Sequence, residues 1–229
     1  LSTNKPSKEF CNPKLKNLRK QKENQTKGGG ILTEVALFPL SQVVLPHGRM
    51  KLRVFEPRYV RLVREACAGD RPFASALLNP YVAQPHPDRI FPVVTLVRVT
   101  DFNQLDDGLL GITIEGVQRL EIKSRWQEND GLHVASCDAM ADWLDTQFLP
   151  RHRQLSQELA VVFEQNPQLD ALYPVKQWQS PRWLAQRWIE ILTMPPALKN
   201  QLMAADSALP ALDALCSWLS TAPEAGANL

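Results

Sequence analysis

The stretch from Leu37 to Val63 reads L-F-P-L-S-Q-V-V-L-P-H-G-R-M-K-L-R-V-F-E-P-R-Y-V-R-L-V. Just before and into it, Val35, Leu37 and Leu40 make a strand-like segment broken by Pro39, and Val43-Val44-Leu45 follows. Pro46-His47-Gly48 has turn chemistry, because Pro presets φ and Gly accepts backbone angles that other residues avoid. Met50, Leu52 and Val54 then alternate with Lys51 and Arg53, the period of a half-buried strand. A change of period comes next. Tyr59, Leu62, Val63 and Ala66 recur at helical spacing, Pro57 suits a first helical turn and Gly69 a stop, which predicts a helix over about 57–68.

Outward from this stretch the chain is first β-rich and then helical. Phe73–Leu78 reads as a strand, the proline-bearing Asn79–Asp88 as a loop, and the β-branched run Val93–Val99 as a strand. Asp106-Asp107-Gly108 is a hairpin signal, and Leu110, Ile112 and Ile114 form the returning strand. Gly116 marks a bend or bulge, Leu120-Glu121-Ile122 continues the sheet, Asn129-Asp130-Gly131 is a second turn and Leu132–Cys137 a further strand. After about residue 145 the pattern is helical. Leu149–Gln165 is expected as one helix, and Ser180-Pro181 opens another with Leu184, Trp188, Ile191 and Leu192 on its apolar face. Ala197–Met203 is a short helix, and a last one carries Leu212, Leu215 and Leu219. Segregated segments of this kind predict an α+β fold. The expected organisation is a disordered basic tail over 1–30, a β-rich unit over 31–145, a helical unit over 146–222 and a flexible end over 223–229.

Charge narrows the function classes. The 229 residues carry a net charge of +2, but residues 1–30 hold eight Lys/Arg against Glu9 and Glu23. The remainder has 18 basic and 22 acidic residues, a net of −4, which is a poor field for a polyanion. No apolar run approaches the ~18 residues of a membrane span, and no secretory h-region opens the chain, so a cytoplasmic protein is expected. Cys11, Cys67, Cys137 and Cys216 are widely spaced, which suits small buried hydrophobes better than zinc or redox pairs.

The sequence holds no phosphate-cradling G-x-x-x-x-G-K-[ST], no dinucleotide G-x-G-x-x-G and no G-x-S-x-G nucleophile elbow. His47, His86, His133 and His152 lack metal-ligand spacing, and the loop histidines His47 and His86 read as solvated surface. Lys51, Lys123, Lys176 and Lys199 sit in polar or alternating contexts that read as surface, so no Ser–Lys dyad is expected. Arg151-His152-Arg153 reads as exposed helix surface. Of the six tryptophans, Trp188 belongs to an apolar face, whereas Trp178 and Trp183 flank a helix start and are candidates for partner contact.

Phe38-Pro39-Leu40, Leu45-Pro46 with Gly48, Leu52, and above all Phe55-Glu56-Pro57-Arg58-Tyr59 resemble the opening of the Lon protease N-terminal, substrate-binding domain family. Asp107-Gly108, Gly116-Val117-Gln118-Arg119 and the Leu-Met…Asp-Ser…Leu pattern over 202–215 are similar to later parts of that family, so the resemblance covers roughly 34–220. It departs at Val94-Thr95, where the family usually carries Gly-Thr. The resemblance implies a PUA-like β pseudobarrel followed by a C-terminal helical bundle. Because neither an ATPase nor a Ser–Lys peptidase motif is found in this sequence, a stand-alone binding module without those domains, and without a cofactor or metal, is expected. Expected partners are polypeptide or unfolded protein segments and a separately encoded ATPase or protease. RNA binding, which PUA-like folds also host, is the alternative. Phe55, Glu56, Arg58, Tyr59, Gly116 and Arg119 are the candidate structural or binding residues. Glu56 and Arg119 sit among apolar neighbours, so each is expected to bond backbone or an opposite charge, each other included.

Overall fold

The computed structural model describes residues 33–83, 86–144 and 146–221; the tail 1–30 and the end 223–229 lie outside these residues. Six strands form one sheet: β1 (Thr33–Leu40), β2 (Arg49–Val54), β3 (Phe73–Leu78), β4 (Ile90–Gln104), β5 (Leu110–Gln127) and β6 (His133–Ala139). Their order is β2-β5-β4-β3-β1-β6, and a further β5–β6 pairing closes five of them into a ring, with β2 flanking β5. β1 and β3 run parallel and the other pairs antiparallel.

Helix α1 (Pro57–Ala68) crosses from β2 to β3. Pro57 opens it, and Gly69, at φ 81°, closes it with the Gly69 and Asp70 N–H groups on the Ala66 and Glu65 carbonyls. That geometry favours glycine and satisfies carbonyls that would otherwise be orphaned. The two hairpins share one construction. Gly108 and Gly131 take φ of about 80°, and Asp107 and Asp130 each accept the N–H two residues on.

The helices that follow the sheet are α2 (Arg153–Gln165), α3 (Pro167–Asp170), α4 (Pro181–Ile191), α5 (Pro196–Met203) and α6 (Ala208–Thr221). Two elements differ from expectation. The first turn of the helix predicted over 149–165 is a 3₁₀ turn, Pro150–His152, ahead of α2. β4 extends well past Val99, because Asp101–Gln104 pair with Leu110–Thr113 although their composition is polar. Cross-strand bonding sustains this segment, and its exposed face explains the composition.

Three apolar clusters follow from the pattern. Alternate residues of the ring strands (Val35, Leu37, Ala74, Val94, Leu120, Ala135) fill one. Tyr59, Leu62 and Val63 of α1 pack with Phe38, Ile112 and Ile114 in the second. The third joins Leu45, Leu77 and Val93 to the helices, around Leu159, Trp183, Leu184 and Leu212. Helix α4 runs through its middle and is buried on nearly every side, Gln186 and Arg187 included, so the single stripe predicted for it understates its burial.

Candidate binding surface

The Leu45–Gly48 turn is gripped from both sides. From the sheet, the Gly116 carbonyl accepts the His47 N–H and the Gly116 N–H reaches the Gly48 carbonyl, both at 2.9 Å. A β-carbon on Gly116 would stand 2.0 Å from the Leu45 carbonyl oxygen, so only glycine permits this approach. Next to Gly116, β5 carries one extra residue, Val117, between the Leu96–Gln118 and Val97–Gly116 pairs, the bulge expected at this glycine. From the helices, the Glu190 carboxylate accepts the Leu45 N–H at 2.5 Å and pairs with Arg187, whose Nη2 also donates to the Pro46 carbonyl at 3.1 Å. The Tyr173 hydroxyl donates to Glu190 and accepts the Arg49 N–H at 3.1 Å. The charges are buried yet paired and hydrogen-bonded, the condition under which burial is tolerated. His47 sits at the tip with φ 62° and an exposed ring; partial burial, then the Arg182 and Arg187 charges, lowers its pKa.

Arg119, 2% exposed, is a second joint between sheet and helices. Its guanidinium donates to the carbonyls of Met203 (2.5 Å), Ala205 (2.9 Å) and Ala141 (2.6 Å) and lies over the Trp143 ring. Burial lowers its pKa, and three carbonyl acceptors share the charge. The expectation that Arg119 bonds backbone therefore holds, but Glu56 is not its partner. Glu56 pairs with Arg58 at 2.6 Å, at the start of α1.

The Phe55–Tyr59 block forms a corner. Tyr59 is buried and stacks on Phe38 at 4.5 Å, so it belongs to the core. Arg58 lies over the Tyr59 ring and donates to the Gly131 carbonyl at 3.0 Å. Beside it Arg61 and Arg71 share Glu65 and Glu128, and Arg61 also reaches Asp130, so α1 is tied to the β5–β6 turn by a network of half-exposed ion pairs. Phe55 is 68% exposed. The structure thus brings Phe55, Glu56 and Arg58 together at this corner, whereas Gly116 and Arg119 serve the joints to the helices.

Several side chains read as surface are interior. Lys199 is buried, with one hydrogen bond to the Glu190 carbonyl at 3.2 Å, and burial lowers its pKa. His152 is buried and bonds Asp213 at 2.9 Å, while exposed Arg151 grips the same carboxylate and helps hold its pKa at about 2. Trp183 is buried in the aromatic cluster with Phe163, Tyr173 and half-buried Trp178. Cys67 is the reverse case, exposed where a buried thiol was expected; Cys137 is buried and its thiol is pushed up to about 12. The Arg187–Glu190 pair was missed, and its available signal was two opposite charges three residues apart inside an otherwise apolar helix.

The outer surface offers edges more than cavities. Two shallow depressions of about 420 and 530 Å³ lie over Arg61, Glu128–Asp130 and Glu56–Arg58, both open to solvent. Among the described residues no three His, Cys, Asp or Glu side chains converge as a metal site needs, and no helix is long and apolar enough to cross a membrane. Exposed apolar side chains include Phe55 beside β2 and Phe102, 54% exposed, on the projecting part of β4.

Comparison with known proteins agrees with this architecture. The crystal structure of a Lon N-terminal domain protein from Xanthomonas campestris is similar over 81% of this chain and 98% of that one, with a TM-score of 0.64 and 27% identity. The N-terminal domain of a Mycobacterium avium complex Lon protease shares the fold over 83% of this chain and 100% of that one, with a TM-score of 0.56 and 13% identity. A Lon protease from Solibacter usitatus (strain Ellin6076) is 30% identical over 90 residues, which are 38% of this chain and only 11% of that protein. A family model described as the ATP-dependent protease La (LON) substrate-binding domain matches residues 34–221, and the chain belongs to that family.

Proposed function

We propose that this chain is a non-catalytic module that recognises polypeptide segments or a protein partner. The observation that carries the reading is the match of residues 34–221 to a domain family described as substrate-binding. The surface supports it: shallow depressions and exposed Phe55 and Phe102 suit an extended chain better than an enclosed small molecule. The lack of a phosphate-cradling G-x-x-x-x-G-K-[ST] in this sequence, and the bonding of buried Lys199 to the Glu190 carbonyl, support a holding role over a cutting one. A separately encoded ATPase or protease fits as partner, in the cytoplasm. In this reading 31–145 carries the contact surface around Phe55, Glu56 and Arg58. The helical part 146–222 braces it through Gly116 and Arg119, and Tyr59 fixes α1. Incubating the full chain with one labelled protein in its native and its unfolded form tests this: saturable binding of the unfolded form alone is expected, and equal indifference to both forms contradicts it.

A further inference from the structure

We propose that the outer edge of β2 is a strand-addition site for an extended polypeptide segment with carboxylates at alternate positions and apolar side chains between them. This rests on the polypeptide-binding reading and names its surface and the class of segment. β2 pairs with β5 on one side, and among the described residues no strand pairs with its other side. The phase of its backbone is set at the first residue, because the Arg49 N–H donates to the Tyr173 hydroxyl rather than to β5. The Gly116 N–H on the Gly48 carbonyl agrees with that phase. Residues of an antiparallel ladder alternate in which side their N–H and C=O face. Met50, Leu52 and Val54 therefore bond to β5, while the N–H and C=O groups of Lys51 and Arg53 face outward. Both residues are exposed.

Side chains define what fits. Arg49, Lys51 and Arg53 share one face of β2, opposite Glu115, Thr113 and Gly111. Arg49 and Arg98 saturate Glu115, and Arg53 holds Asp107. The Lys51 ammonium has no ion-pair partner among the described residues and stands at the centre of the edge. On the other face Met50 and Leu52 are only partly buried, and exposed Phe55 follows just past the strand's end. An added strand places residues opposite Lys51 and Arg53 on the basic face and their neighbours on the apolar one. A second copy of this chain would set lysine and arginine against their own equivalents, and like charges directly opposed destabilise a pair. The same charges guard the edge against self-pairing, which leaves an acidic, heterologous segment as the occupant.

The test uses the full chain and two short labelled peptides, one alternating Glu with Val and one with Lys in place of Glu, followed by anisotropy and amide hydrogen exchange. The Glu peptide is expected to bind about tenfold or more tightly than the Lys peptide and to protect the Lys51 and Arg53 amides. Lys51→Pro, which removes the outward N–H together with the ammonium, should abolish binding while the melting temperature stays close to that of the parent, and Lys51→Met, which keeps the N–H, should only weaken it. Lys51→Glu with Arg53→Glu should invert the peptide preference. If an unfolded protein binds but these amides stay unprotected and the substitutions change nothing, the edge site is overturned while the polypeptide reading stands. If neither peptide nor unfolded protein binds, both fall. Self-association that protects the same two amides overturns the proposal in favour of a second copy.

Discussion

β2 is joined to the rest of the molecule differently at its two ends. At the Leu45–Gly48 end, buried groups do the work: Glu190 and Arg187 grip the turn backbone, Gly116 admits it, and Arg119 nearby on β5 reaches the carbonyls at the end of α5. At the Phe55 end, α1 is held to the β5–β6 turn by Arg61, Arg71, Glu65, Glu128 and Asp130, whose side chains are 17–40% exposed. Buried pairs are costly to break from one side, whereas wet pairs contribute little each and fade with salt. The first end is therefore a fixed joint, and the second can adjust. That contrast suits the proposed contact surface near Phe55, which can adjust without disturbing its attachment to the helices.

Substitutions at the fixed joint should do the most damage. Gly116→Ala drives a β-carbon to 2.0 Å from the Leu45 carbonyl oxygen, and a backbone atom cannot step aside. A loss of more than about 4 kcal/mol is expected in denaturant melts. Arg119→Ala removes the shared donor from three carbonyls and the stack on Trp143, for a loss of about 3–5 kcal/mol. Arg119→Lys should recover only part of it, since an ammonium lacks the planar fork.

Lys199 sharpens the comparison with the opposite sign. Its folded pKa lies below the free value, so the unfolded chain binds its proton more readily. Its penalty is full while the buried amine stays protonated and is relieved as pH climbs through the folded pKa towards the lysine range. Lys199→Met should stabilise by about 1 kcal/mol at pH 7, with the gain shrinking at alkaline pH, as thermal melts across pH would show. Asp213 runs the other way. With its folded pKa at about 2, its contribution is present above the ordinary carboxylate range and is lost as pH falls towards 2. Acid melts of Asp213→Asn should show a weaker dependence there. The smallest effect belongs to the adjustable end: Arg61→Ala should cost under about 1 kcal/mol, and less in high salt.

Much of this frame was legible in the residues. α1 was readable because its punctuation and period agree: Pro57 opens it, Gly69 caps it, and Tyr59, Leu62 and Val63 face inward. Both hairpins were readable because Asp-Gly carries its own geometry. Gly116 was recognised as a bend, but its contact with Leu45 joins residues 71 positions apart, and no local pattern encodes that. The buried state of Lys199, His152 and Arg187 was hidden for the same reason. A polar side chain becomes interior when distant carbonyls and carboxylates assemble around it, and local composition then misreads it as surface. At the candidate surface, Phe55, Glu56 and Arg58 were picked out together by resemblance. The open edge of β2 needed the topology, since only pairing order shows which strand lacks a neighbour.

The most direct test of the central claim is a side-by-side titration of the full chain with a labelled unfolded polypeptide and a labelled single-stranded RNA of matched length, at low and at high salt. The account predicts saturable polypeptide binding that weakens only modestly with salt, because its ionic contacts are confined to Lys51 and Arg53 and the rest is backbone pairing and apolar contact. RNA binding alone, falling steeply as salt rises, would contradict it.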